Sequence, residues 1–140
     1  MRVPFWMLLG LFISILIMDI TSVWMVRNKL ITAVEHSLDA AMIEGLDPND
    51  AAGGKLILNE DKAYAAAKSL LQKNLRLDDN LESNFFKHTE LNVTIVPDDR
   101  KPKFTVDVKT VVTANLPKII GQAGIPVTIH KVQYHISKYR

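Results

Sequence analysis

The chain has 140 residues, 48% of them hydrophobic, with 17 basic and 15 acidic side chains and no cysteine. Less a membrane segment, that length leaves one small domain, and the missing thiols exclude both a disulfide framework and a thiolate metal site. The charges nearly balance and are interspersed, without the basic stripe that a nucleic-acid surface needs.

Residues 3–26 open the chain as an apolar run interrupted by one acid, Asp19. At ~1.5 Å per residue the run is about 36 Å long, against a bilayer core of about 30 Å. Trp6 and Trp24 stand ~27 Å apart on the same axis. They read as membrane-interface residues, because indole rings collect at the two interfaces. Pro4 lies in the first turn, where its missing N–H costs no helical hydrogen bond. The expectation is a transmembrane anchor over residues 1–26 and an extracytoplasmic domain over 27–140. A cleaved secretory signal is the competing reading. No small-x-small site follows the apolar region, and the helical pattern runs on past any cut. Arg2 at one end and Arg27 with Lys29 at the other nearly balance the basic-residue rule for orientation.

Asp19 supports two readings. The membrane ends near Met18 and the carboxylate lies among headgroups, or it faces a cationic group or helix terminus on a neighbouring subunit. The second follows because a lipid-facing carboxylate costs roughly a few kcal/mol. Further on, Val23, Val26, Leu30, Ala33, Val34, Leu38, Ala41 and Met42 recur in steps of three and four and share one helical face. Asn28, Thr32, Glu35, His36 and Asp39 fall on the other. This predicts a helix over 27–46, bracketed by Gly45 and Pro48. Its stripe would pack on the domain's own sheet or on a partner helix.

Asp19, Ser22, Trp24, Arg27, Leu30, Ala33 and Glu35, behind an N-terminal apolar segment, resemble the leading segment of TadE/TadG-like proteins of tight-adherence (Flp) pilus systems. There the run is acid, small residue, aromatic, arginine, leucine, then alanine and acid in an alanine-rich helix. The resemblance covers about 30 residues of residue types common in helices. It implies a pilin-like fold, and assembly contacts through Asp19, Arg27, Leu30, Ala33 and Glu35. Prepilins of this class carry a glutamate five residues into the apolar segment, after a small-residue cleavage site. Gly10 could imitate that site, but Ile15 stands where the glutamate would be, and the alanine-rich tail is diluted.

Residues 47–55 are turn chemistry, and Leu56, Ile57 and Leu58 suggest a short edge strand. Asn59 before Glu60 and Asp61 signals a capped helix start, predicting a helix over 60–76 with Ala63, Ala66, Ala67, Leu70, Leu71 and Leu75 inward. Residues 78–90 read as polar loop, with Phe85 and Phe86 either anchoring it to the core or, as an exposed pair, marking a docking site. Strands are expected near 91–96, 104–116 and 125–137. The middle one alternates strictly through Phe104, Val106, Val108, Thr110, Val112, Ala114 and Leu116. Pro117 would end it, with a turn or single helical turn over Lys118 to Gly124. In the last strand the apolar phase shifts from Val127 and Ile129 to Val132, Tyr134 and Ile136. That predicts a bulge near His130 and Lys131. The whole is α+β: a long N-terminal helix, transmembrane then amphipathic, a second helix, and a small antiparallel sheet of three to four strands.

Chemistry is sparse. His36, His88, His130 and His135 do not group as ligands, and His130 and His135 should face opposite sides of a strand. The paired acids Asp78, Asp79 and Asp98, Asp99 lack the spaced oxygen ligands of a calcium loop. Gly53 and Gly54 have no phosphate-binding spacing. No catalytic pair stands out, so no enzyme, cofactor or metal is expected. Two classes of function follow. One is a membrane-anchored minor pilin or pilus-assembly subunit, with other pilus or secretion-system proteins as partners and a homo- or hetero-oligomer formed through the first helix. The other is a single-pass cell-surface accessory or ligand-binding protein with the helix as a tether.

Overall fold

One helix, α1 (Val3–Gly45), runs through the whole molecule; its 43 residues make a rod about 64 Å long. The structure, a computed structural model, describes residues 3–46, 58–98, 101–119, 121, 122 and 124–134. The first part of α1, residues 3–18, is apolar and almost entirely exposed among the described residues. The second part changes character. Leu30, Ala33, Val34, Leu38 and Ala41 are buried on one stripe, at the helical spacing that aligns side chains on a face. Ser37 sits on that stripe too, with its hydroxyl donating to the Ala33 carbonyl at 2.8 Å.

α2 (Glu60–Leu75) returns antiparallel beside this upper half. Asn59 caps it in an extended conformation, its side-chain oxygen accepting from the Lys62 N–H at 3.0 Å. Glu60 and Asp61 sit in the first turn, where the helix dipole favours acids. Arg76 closes the helix in the left-handed region, φ 53°. The two helices are tied at the far end: Asn59 N–H donates to the Gly45 carbonyl at 2.9 Å, and Leu46 bridges to Leu58. Close approach there depends on Gly45. A Cβ on it would lie 3.0 Å from the Ala63 Cβ and 3.2 Å from Phe104 Cε1. Ala63, Ala67, Leu71 and Leu75 form the buried side of α2.

Three antiparallel strands, β1 (Phe86–Val96), β2 (Lys103–Val112) and β3 (Ile125–Tyr134), form a sheet in chain order. The helices cover one face only: α1 lies over β2 and β3, and α2 over β1. The expected alternation in β2 holds over Phe104, Val106, Val108, Thr110 and Val112, all buried, with Phe104 at the centre of the core. The α+β layout expected from the sequence is therefore present, with three strands among the described residues.

Details differ at the strand ends. β1 starts at Phe86, five residues before the expected strand near 91–96, because it contains a bulge. Register shifts between Lys87 and Glu90, His88 takes a left-handed φ of 51°, and Thr89 and Thr110 join their hydroxyls at 2.8 Å. The extra residue reverses the alternation: Phe86 is inward before it, Thr89 and Val93 after it. Phe86 thus belongs to the core, whereas Phe85, expected there with it, is exposed. β2 leaves the ladder at Val112 instead of continuing to 116, and a five-residue helix, α3 (Asn115–Ile119), follows. Pro117 lies inside its first turn, where proline is tolerated, and does not end a strand.

The bulge expected at His130 and Lys131 is not there. β2 and β3 pair without a break from Lys103↔Tyr134 to Val112↔Ile125. Lys131 takes the inward position and reaches Glu35 on α1 at 2.8 Å, leaving Val132 and Tyr134 on the open face. At the rim of the helical layer a lysine stem can lie along α1 with its charge on a carboxylate. The apolar shift in the sequence therefore marks a change of covering, not of register. Residues 135–137 of the expected strand, and Pro48, Leu56 and Ile57, lie outside the described residues.

Candidate functional site

The part of the molecule with functional character is the collar where the apolar half of α1 enters the headgroup. α1 holds an 18-residue window of mean hydropathy 2.2, long and apolar enough to cross a membrane. Trp6, 66% exposed, packs edge-on against Phe5 near one end of that segment. Trp24, 62% exposed, stands near the other.

Between them is Asp19. It is only 6% exposed, and the group it faces belongs to its own chain. Asn115, the first residue of α3, donates to Asp19 Oδ1 twice, from its side-chain Nδ2 at 3.1 Å and from its backbone N–H at 3.3 Å. A carboxylate on a lipid-facing helix centre costs roughly 2.5–3.5 kcal/mol on insertion scales. Charge-assisted hydrogen bonds offset part of that cost. The sequence suggested either a place among lipid headgroups or a cationic group or helix terminus on a neighbouring subunit as the surroundings of Asp19. A helix terminus is present, supplied by the headgroup.

Two hollows flank the clasp. One, about 430 Å³, is lined by Asp19, Ile20, Val23, Trp24, Arg27, Ala114, Pro117 and Ile125. The other, about 530 Å³, lies on the opposite side among Ser22, Met25, Val26, Lys29, Arg76 and Phe85. Phe85 is fixed beside α3, because its carbonyl accepts from the Thr113 N–H at 2.9 Å and the Thr113 hydroxyl donates to the Asn84 carbonyl at 2.9 Å. Asp78 orders the loop at the same end: its carboxylate accepts from the Asn80 and Glu82 amides, both at 2.9 Å.

The other residues that the resemblance assigned to assembly fall in different places. Leu30 and Ala33, 0% and 2% exposed, are part of the chain's own core and offer no surface to a partner. Glu35 pairs with Lys131. Arg27 is exposed on the collar. Asn115, which the sequence reading did not single out, is brought to Asp19 from 96 positions away. Among the described residues no group of three or more His, Cys, Asp or Glu side chains could hold a metal. His130 pairs with Asp107 across β2 and β3 on the exposed face of the sheet.

No family model, curated protein or solved structure matches the chain. Fold and collar define a class by themselves: an α+β headgroup carried on a single helix whose free half is apolar enough to span a bilayer.

Proposed function

We propose that this chain is a membrane-anchored minor pilin or pilus-assembly subunit of a tight-adherence-like system, with its headgroup outside the cytoplasmic membrane and its work done by assembly. One observation supports this most: the helix that forms the headgroup core is continuous with an apolar half that is left exposed among the described residues. Such a face is buried either by lipid or by neighbouring helices, and filament and assembly subunits use the second. The segment through Asp19, Trp24 and Arg27 that resembles TadE/TadG-like proteins lies at this junction.

A second reading, a simple tether, is favoured by a specific observation. Asp19, the residue expected to meet a partner, is bound within the chain. Two experiments separate the readings. Ile13→Cys and Ile17→Cys variants of the cysteine-free chain, oxidised in native membranes, should give disulfide adducts with a second copy or with a pilus-system protein similarly substituted. Replacing residues 3–18 by an unrelated apolar helix should abolish piliation. Filaments assembling normally on the foreign anchor, with no adduct from either cysteine, would leave the tether as the function.

A further inference from the structure

The clasp fixes the depth of the headgroup. Asp19 lies about 24 Å along the axis from Val3, and a ~30 Å hydrocarbon core entered at Val3 would end near Val23. α3, held to Asp19 through Asn115, is therefore about 6 Å inside that boundary, below the level of Trp24. What α3 and its neighbours expose there is unusual for a surface in water. Ile119 is 72% exposed and Phe85 61%, and Met25 and Trp24 are also open. Basic groups accompany them: Lys118 on α3, Arg27 and Lys29 on α1, and Arg76 at the end of α2, all exposed or bordering the two hollows. Of the carboxylates at this end, Asp19 and Asp78 are held by the chain's own N–H donors, while Asp79 beside them is exposed.

We propose that this end of the headgroup is a lipid-binding surface: α3 and Phe85 penetrate the outer interface of the bilayer, and Lys118, Arg27, Lys29 and Arg76 meet anionic lipid headgroups. The occupant is lipid because the surface is covalently continuous with the spanning helix and cannot leave that depth. Its mix of aromatic, aliphatic and basic side chains is the one that interfacial segments use. The Asp19–Asn115 pairing makes the arrangement compatible with a low dielectric, since the charge and its donors satisfy one another before they meet lipid. The proposal rests on the membrane reading of α1, but it holds for a tether as well as for an assembly subunit.

The test uses full-length protein in phosphatidylcholine–phosphatidylglycerol vesicles. Single-cysteine variants Leu9→Cys, Phe85→Cys, Ile119→Cys and Tyr64→Cys each carry an environment-sensitive NBD label, read against lipids with a doxyl quencher near the headgroup or deep in the chain. The expected result is deep quenching at Leu9, shallow quenching with a blue shift at Ile119 and Phe85, and none at Tyr64 on the far part of α2. Labels at Ile119 and Phe85 as unquenched as Tyr64, with Leu9 quenched, would overturn the seating and leave the anchor standing. An unquenched Leu9 would overturn both. Labels at Ile119 and Phe85 that face water in vesicles, yet are shielded from iodide in native membranes, would assign the surface to a protein and refute the lipid proposal. Equal quenching without phosphatidylglycerol would remove the basic rim from it.

Discussion

The pairing of Asp19 with Asn115 gives the most direct measurement of the collar. Asn115→Ala deletes the Nδ2 donor at 3.1 Å and leaves the backbone N–H at 3.3 Å. The deleted bond is the shorter of the two, and its acceptor is a carboxylate on a side chain that is 6% exposed. Hydrogen bonds to charged groups contribute roughly 1.5–3 kcal/mol, so a loss of about 2 kcal/mol is expected. For a domain of this size that is a fall in Tm on the order of 10 °C. The assay is thermal unfolding of the full chain in micelles, followed by near-ultraviolet circular dichroism. Asp19→Ala, Asn115→Ala and the double variant form a cycle whose coupling energy should be about 1–2 kcal/mol. A coupling near zero, or an Asn115→Ala protein melting with the wild type, would refute the claim that this contact holds α3 to the anchor.

Two further substitutions probe the packing above the collar. Gly45→Ala introduces a Cβ at 3.0 Å from Ala63 and 3.2 Å from Phe104, inside the ~3.5–4.0 Å optimum for carbon pairs. Overpacking of about 1–3 kcal/mol should exceed the gain of up to about 1 kcal/mol for alanine in a helix. We expect a lower denaturation midpoint for Gly45→Ala and a much lower one for Gly45→Leu; an unchanged midpoint in both would contradict the close approach of α1, α2 and β2. Breaking the Glu35–Lys131 pair should do little. The two side chains are 51% and 36% exposed, so Glu35→Ala should cost less than about 1 kcal/mol, and less in high salt. A loss above about 2 kcal/mol in urea titrations would mean that this pair, not burial, positions β3.

The parts of the fold readable in the sequence are those fixed by local rules. Asn59 before two acids marked the start of α2, and steps of three and four marked the buried stripe from Leu30 to Ala41. Strict alternation marked β2 from Phe104 to Val112. The parts misread are those where a distant segment decides. His88 and Thr89 break the alternation of β1, so its first turn of strand looked like loop. The apolar pattern of Val132 and Tyr134 points to a bulge in β3, whereas Lys131 holds the inward side by reaching α1. Alternation through Ala114 and Leu116 outlasted the ladder itself, since nothing in an apolar pattern says where a partner strand stops.

The collar was half legible. Asp19 stood out in an apolar run, where a neighbouring subunit's cationic group or helix terminus was the expected partner, and hydrogen bonds tie it to Asn115 of the same chain. That the terminus comes from Asn115 of the same chain is a fact of tertiary structure with no local signature. Leu30 and Ala33 are a related case: apolar residues on a helix face look alike whether they await another molecule or their own sheet.

α1 has a mechanical consequence. Between Leu11 and Glu44 it contains neither proline nor glycine, the usual places for a sharp kink. Whatever inclination the bilayer imposes on one half is handed to the other undiminished. A lean of only about 10° at the base would carry the far tip sideways by roughly 11 Å, given a lever of ~64 Å. Local membrane thickness, which sets such a lean, thus becomes a way to aim the headgroup.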